Sequence, residues 1–348
     1  MDPSEIREES AFKRPWYYRL ELAPDLHTDG PPRWSVAQTR ALLRRVDIES
    51  GGDDGSGARC LDVGIQEGLV TFLLERRGAS EIVGYDRVLR TDRIDLAQRA
   101  LGGSFDLVGG MKLQDLPRAL AEQGRRPFDV VVFSGVLYHM FDPLGGLSAV
   151  RGLVRDGGIC LVETAAAFSE SDAMYFNSAG RFAPHALWLV TPPCLDYLLR
   201  FLRLEPLDVV YILGRGEGEL ASPAERRGIK RLLGRARRSG RVEARARHER
   251  EVLKPAQGRV AIACRAVSSP PAQPDDTWIN AKHHDVDFAE FLDWNGVASD
   301  APEVGYDGSR AGLIKGEDGS VAVQPSIVAT QPLPLNPEQA QLALDARY

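Results

Sequence analysis

The sequence predicts a doubly wound α/β sheet, and three observations carry that expectation. A short apolar run, Cys60-Leu61-Asp62-Val63, enters a turn bracketed by Gly64 and Gly68, and the amphipathic stretch Leu69–Arg77 follows at once. Strand, glycine turn and helix in that order open such a sheet, whose ligands sit at the carboxyl ends of its strands. Further β-branched apolar runs then alternate with helical stretches, the pattern of a parallel sheet covered on both faces. Finally, Asp86 closes the second run about 20 residues after the glycine turn, where a carboxylate accepts hydrogen bonds from ribose hydroxyls.

The elements can be read in order. Residues Met1 to Lys13 carry little pattern and read as loose chain, and Arg14–Leu22 is aromatic and strand-like. Leu26 to Gly30 reads as a turn and Ser35–Val46 as a helix with Ser35 as its cap. Gly51–Gly57 is a Gly/Asp/Ser linker. Five strands are expected at Cys60–Val63, Glu81–Asp86, Phe105–Val108, Phe128–Phe133 and Gly158–Thr164. Helices lie between them at Leu69–Arg77, Ile94–Ala100, Leu116–Gln123 and Leu144–Leu153. The rhythm then breaks at an irregular insertion, Phe168–Val190, rich in aromatics and His. A helix at Pro192–Leu202 and strands at Leu207–Leu213 and Arg259–Arg265, the last antiparallel, complete a seven-stranded sheet. Ser268–Asp276 is a linker by composition, and the tail beyond it shows one short apolar helix, Val286–Trp294. The expected organisation is a flank or lid at 1–50, a nucleotide-binding domain at 58–267 and a C-terminal extension at 268–348. Residues 168–190 would cover the substrate, and 222–256 would form a basic helical arm.

Composition bounds the function. The 348 residues, 43% hydrophobic and 26% charged, allow a full core, in one large domain with additions or in two. No stretch reaches the roughly 18 apolar residues of a membrane span. The polar, acidic start lacks the pattern of a secretory signal. Four cysteines far apart give no metal or disulfide spacing, so the expectation is a reduced, cytoplasmic protein. A net charge of −6 argues against wholesale nucleic-acid binding, although Arg226–Lys254 is strongly basic. That segment reads either as a contact for an anionic substrate or as a solvated arm whose arginines pair with Glu243, Glu249 and Glu251; it lacks the interleaved aromatics of a stacking surface.

The glycine pattern discriminates between cofactors. A dinucleotide's pyrophosphate is cradled by G-x-G-x-x-G, whereas this turn reads G-I-Q-E-G, with two glycines and a carboxylate at Glu67. The charge of a pyrophosphate would be repelled there, while the sulfonium and ammonium groups of S-adenosylmethionine (SAM) would not. SAM is therefore favoured over NAD, with S-adenosylhomocysteine as product.

Taken together, L-D-V-G-x-x-x-G, V-G-Y-D, F-D-V-V-V-F-S-G-V-L-Y-H-M-F-D-P-L-G-G-L and G-G-I-C-L-V-E-T resemble a class I SAM-dependent methyltransferase. More narrowly they are similar to the branch related to the tRNA wobble-uridine carboxymethyltransferase. The resemblance runs from about Pro15 to about Val267, and the tail has no counterpart in it. It implies a Rossmann-like methyltransferase fold and roles at matching positions. Gly64, Ile65 and Gly68 would line the methionine moiety, Asp86 would hold the ribose, and Met111 and Lys112 would flank the adenine. Ser134 would touch the cofactor through its backbone, and Tyr138 would close the pocket. Asp62 is either a cofactor contact or a strand-end residue bonding the backbone. Ile65 stands where the family has a small or polar residue, and the cations that hold an extra carboxylate on the cofactor have no evident match, so plain methyl transfer is expected.

Methyl transfer needs in-line approach and an acceptor that can lose its proton. His139, just past the fourth strand, is the leading base candidate, and a structural histidine is its plain alternative. His185, Tyr175 and Trp188 in the insertion are candidates for the acceptor side, each set against ordinary packing; His27 is a weaker one. His283-His284-Asp285 lacks a third spaced metal ligand. The expected activity is methylation of an oxygen or nitrogen of a small molecule: a secondary metabolite, a sugar or a lipid intermediate. A tRNA-modifying enzyme and a non-catalytic binding protein of the same fold are the alternatives, and self-association is left open as a partner.

Overall fold

The computed structural model of the chain describes residues 1–31, 33–52, 55–168, 172–177, 186–213, 256–268, 312–315, 321–324 and 333–334. Helix α1 (Pro3–Glu8) is followed by a hairpin of β1 (Glu21–Ala23) and β2 (Leu26–His27) and by helix α2 (Trp34–Leu43). Strands and helices then alternate as β3 (Arg59–Val63), α3 (Leu69–Arg76), β4 (Glu81–Asp86), α4 (Thr91–Leu101) and β5 (Asp106–Gly109). The series continues through α5 (Leu116–Glu122), β6 (Phe128–Ser134), α6 (Pro143–Leu153) and β7 (Val154–Phe168). Short strands β8 (Met174–Phe176) and β9 (Trp188–Val190) precede α7 (Pro192–Phe201), β10 (Leu204–Leu213) and β11 (Ala256–Ala266). Three short strands lie in the tail, β12 (Gly312–Lys315), β13 (Val321–Gln324) and β14 (Leu333–Pro334).

The main sheet runs β14-β10-β11-β7-β6-β3-β4-β5, with β9 beside β7 and β8 beside β9. Neighbours from β5 to β7 are parallel, and β11 is antiparallel to both β7 and β10. The expected seven strands are therefore its central run. The sheet has ten because β14 adds to the free edge of β10 and the β8–β9 pair attaches to β7. After β3 the chain moves outward to β4 and β5, then returns to β6 on the other side of β3. That reversal leaves a crevice at the carboxyl ends of β3 and β6.

The pleat divides the apolar residues between two cores. Leu61, Val131, Phe133 and Val162 face α5, α6 and α7 through Leu116, Leu120, Leu147, Leu195 and Leu199. Cys60, Val130, Val132 and Leu161 face the other way, toward Val36 and Leu43 of α2, Val70 and Leu74 of α3, and Ile94 of α4. Each fully buried side chain of this kind contributes about 1.5–3 kcal/mol. Helix starts are set locally. Asp142 accepts from the Gly145 N–H ahead of α6, with Pro143 at the first position, and Thr191 caps α7 ahead of Pro192 and Pro193.

Several expectations are corrected. Residues 1–13 are not wholly loose: Asp2 and Glu5 form a capping box on α1, and Ile6 is buried in the second core. One apolar contact in six residues leaves no period to read. Ser35 is not a cap; it is the buried second residue of α2, whose N-cap is Arg33 with no side-chain bond. Of Arg14–Leu22, only the end pairs as strand, because Trp16, Tyr18 and Leu20 are apolar for burial against the second core. The insertion is not wholly irregular, since β8 and β9 pair antiparallel within it. The basic segment 226–254, the linker after Ser268 and the helix expected at 286–294 lie outside the described residues.

Candidate cofactor and acceptor site

The candidate site is built from four neighbouring strand ends. In register, Val63 lies between Tyr85 of β4 and Phe133 of β6, and Asp86 lies beside Gly109 of β5. The glycine turn leaves β3 with its backbone folded back. The N–H groups of Gly64 and Ile65 both donate to the Tyr85 carbonyl, at 2.8 and 3.1 Å. Gly64 has φ +93°, and a Cβ there would lie 2.4 Å from Val136 Cγ2 across the crevice. Gly68 has φ +90° and caps α3. Between them Gln66 adopts φ +52°, the left-handed conformation a non-glycine residue avoids. The sequence showed only two glycines here, yet the turn uses three left-handed positions.

Each expected cofactor residue can be placed. Asp62 is buried in β3, where its Oδ2 accepts from Thr71 Oγ1 at 2.7 Å. Burial pushes its pKa up to about 7, opposed by the Thr71 bond and reinforced by the nearby charge of Asp86. Asp86 is half-buried at the end of β4, and its Oδ1 accepts from the Val88 N–H at 3.2 Å. A carboxylate has acceptor capacity well beyond one such bond. The Met111 carbonyl accepts from Tyr85 Oη at 2.9 Å, and Lys112 is exposed beside it. The Ile65 side chain turns away from the turn and fills the slot over Gly84, leaving only its backbone at the strand end.

At the end of β6 a buried polar network appears that the sequence did not reveal. Ser134 Oγ accepts from Thr39 Oγ1 of α2 at 2.9 Å and donates to Glu163 Oε2 at 3.2 Å. Glu163 is paired with Arg259 through bonds of 2.5 and 2.9 Å, both side chains being 1% exposed. The Arg259 guanidinium lies 5.0 Å from the ring centroid of Tyr138. A lone Glu in an apolar strand and an Arg at the mouth of another were the only available signals.

The acceptor-side candidates divide. Tyr138 is buried, its carbonyl accepting from the Leu187 N–H, and it clusters with Ala165, Ala167, Ala186 and Leu189, against which Tyr175 packs. His139 is exposed, with its ring 4.0 Å from that of Tyr138. Trp188 meets Phe176 edge to face. His27 is exposed in β2, which pairs with β1 in the N-terminal flank. His185 and the 283–285 cluster lie outside the described residues. Among the described residues no group of His, Cys, Asp and Glu could hold a metal ion, and no helix is long and apolar enough to cross a membrane.

Glu67 does not present a free negative charge that would repel a pyrophosphate. Its carboxylate is buried and shared by Arg90 and Arg93. What suits SAM here is the turn itself, a backbone cradle a Cβ would fill, with the Asp86 carboxylate at the end of the adjacent strand β4, where it could accept from a ribose.

Residues 36–197 match the family described as a methyltransferase domain. The chain is 32% identical over 219 residues to a ubiquinone biosynthesis O-methyltransferase of Ruegeria pomeroyi, covering 60% of this chain and 84% of that one. It is 33% identical over 163 residues to the tRNA U34 carboxymethyltransferase of Methylococcus capsulatus, covering 46% of this chain and 48% of that one. A solved structure, the 1,6-didemethyltoxoflavin-N1-methyltransferase of Burkholderia thailandensis, overlaps 75% of this chain and 80% of its own at 18% identity and a TM-score of 0.40. On the strength of that shared sequence, the glycine turn and the strand order, the chain belongs to the class I SAM-dependent methyltransferases.

Proposed function

We propose that the enzyme methylates an oxygen or nitrogen of a small-molecule acceptor with an apolar or aromatic body, drawn from secondary metabolites, sugars or lipid intermediates. The observation that carries this reading is the rim of the site. Among the described residues, the exposed large apolar side chains other than Met1 are Val88, Phe141 and Phe176, 74%, 91% and 58% exposed. Val88 follows the carboxyl end of β4 and Phe141 that of β6, the side of the sheet where an acceptor would enter, and Phe176 closes β8 in the expected substrate-covering insertion; under this reading these apolar groups are acceptor contacts. Similarity to ubiquinone biosynthesis O-methyltransferases over most of their length supports it.

SAM, when bound, supplies an electrophilic methyl group on a sulfonium sulfur. The chain's part is to hold and to orient. The backbone of Gly64–Gly68 would seat the methionine moiety, with Ile65 contributing only its backbone. Asp86 would take the ribose hydroxyls, and Met111 and Lys112 would flank the adenine. Ser134 would contact the cofactor through its backbone, and Tyr138 would close the pocket. His139 would accept the acceptor's proton, a role worth roughly 10²–10⁴-fold in rate. Tyr175 would shape the acceptor side, together with His185 of the insertion.

Titration calorimetry with SAM and S-adenosylhomocysteine tests the cofactor, and binding of neither sinks the reading. Release of S-adenosylhomocysteine on screening phenols, hydroxylated rings and amines then identifies the acceptor. In His139→Ala, cofactor affinity should persist while turnover drops by about 10²-fold or more; unchanged turnover would remove the histidine from the chemistry.

A second reading, tRNA modification, is favoured by the similarity to the tRNA carboxymethyltransferase and by the basic 226–254 segment. It requires salt-sensitive tRNA binding that collapses when Arg235, Arg237 and Arg238 become Glu, and absence of binding at low salt discards it.

A further inference from the structure

The glycine turn carries a carboxylate that neither the cofactor seat nor the proposed chemistry uses. Glu67 is completely buried although it stands one residue before Gly68, inside the turn. A buried carboxylate is tolerated only when it is paired and hydrogen-bonded. Here Oε1 accepts from Arg90 Nη1 at 3.0 Å, from Arg93 Nη1 at 3.3 Å and from the backbone N–H of Tyr17 at 3.1 Å. The two arginines open α4, and Tyr17 lies 50 residues upstream in the N-terminal flank.

The same stretch of the flank is held again on either side. Arg93 donates to the Pro15 carbonyl, and Arg14 pairs with Asp92 at 3.2 Å. Arg33 Nε donates to the Tyr17 carbonyl at 3.1 Å, and its guanidinium lies 3.9 Å from the centroid of the Tyr17 ring. Arg90 approaches that ring from 6.0 Å. Three separate pieces of chain, the flank at 14–17, the glycine turn and the first turn of α4, therefore meet at one carboxylate. Its neighbour Gln66 is the turn's non-glycine residue in the left-handed conformation, so bonds to Glu67 hold the turn in a shape its own sequence disfavours.

We propose that Glu67 is a positioning residue that fastens the N-terminal flank to the cofactor turn, so that filling the turn and closing the flank are one event. Its three bonds all fall on Oε1. It acts through the backbone of the turn on one side and through Tyr17 on the other. This deepens the methyltransferase reading and rests on it.

The test uses the full-length protein, with S-adenosylhomocysteine as probe. Glu67→Ala removes all three bonds, whereas Glu67→Gln keeps an acceptor for the Tyr17 N–H and withdraws the charge from Arg90 and Arg93. Limited trypsin digestion, read by mass spectrometry at Lys13-Arg14 and Arg19-Leu20, reports the flank; Arg14-Pro15 resists the protease. In the wild type the ligand should slow both cleavages by about tenfold or more, and Glu67→Ala should lose that protection and bind the ligand at least about tenfold more weakly. Glu67→Gln should fall between them. If Glu67→Ala does not fold by circular dichroism, Glu67→Gln combined with Arg90→Met, which removes an orphaned cation, carries the comparison. Folded variants that bind within about twofold of wild type and keep full protection at Arg19 overturn the proposal. So does a wild type that binds the ligand without protecting the flank. A wild type that does not bind at all overturns the cofactor reading instead.

Discussion

Replacing Arg259 with methionine keeps much of the side chain's length and leaves the Glu163 carboxyl group inside the sheet without its cation. The pair is closed to solvent, each side chain 1% exposed, with guanidinium Nε and Nη2 on the two carboxylate oxygens. In such a setting the attraction between partners roughly offsets their desolvation, so the intact pair adds little. Deleting one partner exposes the desolvation of the survivor, about 3–5 kcal/mol. The Ser134 hydroxyl, 3.2 Å from Oε2, relieves only part of that. At about 2–4 °C per kcal/mol for a domain of this size, Arg259→Met should unfold about 6–20 °C below the wild type. Adding Glu163→Gln removes the stranded charge and should recover more than half of the loss. Thermal unfolding followed by circular dichroism reads both. A single variant within about 2 °C of wild type would refute the reasoning, as would a double variant no more stable than the single.

Other perturbations probe the strand ends. Gly64→Ala forces an alanine to φ +93° and sets its Cβ 2.4 Å from Val136 Cγ2, so binding of S-adenosylhomocysteine should weaken by more than about tenfold; adding Val136→Ala should restore only the steric share. Asp86→Ala should leave stability within about 1 kcal/mol of wild type and weaken the same ligand by roughly 10–100-fold, the equivalent of a charge-assisted bond of about 1.5–3 kcal/mol. An unchanged affinity would place the ribose elsewhere. Asp62 yields a pH signature: its folded pKa, about 7, lies above the ordinary 3.8, so the folded state retains a proton that the unfolded chain has lost. Stability from this residue is therefore greatest at low pH and is lost as pH rises between about 4 and 7. The melting temperature of wild type minus that of Asp62→Asn should fall across that window, and a flat difference means that Asp62 titrates like an exposed carboxylate.

What the sequence made legible was whatever repeats along the chain. Strands β3 to β7 are continuous apolar runs because both their faces are covered, and the helices between them show an apolar stripe, so the sheet and Asp86 could be found by period and spacing. What it hid was whatever depends on contacts across long separations. Glu163 and Arg259 each look like the polar end of an apolar strand, and only the antiparallel seating of β11 beside β7 brings them together. Ser35 has the chemistry of a cap but stands two residues past the N-cap position, inside the helix. Glu67 was read by its charge alone, because nothing local shows that two arginines from α4 reach it.

The fold separates what must be fixed from what must vary. The proposed cofactor residues sit at or just past the ends of parallel strands, and α2 braces those strands from the face opposite α5–α7. Gln38, wholly buried, donates to the carbonyls of Val210 and Arg259, and the adjacent Thr39 donates to Ser134. Two consecutive residues of one helix thus fix β10 and β11 on one side and the end of β6 on the other. Buried side chains bonded to strand backbone leave little freedom, so the seat is rigid by construction. The acceptor side has a different origin. Phe141 stands in the turn after β6, and Tyr175 and Phe176 stand on β8, which among the described residues reaches the sheet through β9 and its pairing with Ala166. Residues on such short, peripheral elements can change without disturbing the strand ends. The chain is similar both to a ubiquinone biosynthesis O-methyltransferase and to a tRNA carboxymethyltransferase; under the proposed reading the cofactor is assigned to the strand ends and acceptor choice to the β8–β9 rim, outside the glycine turn.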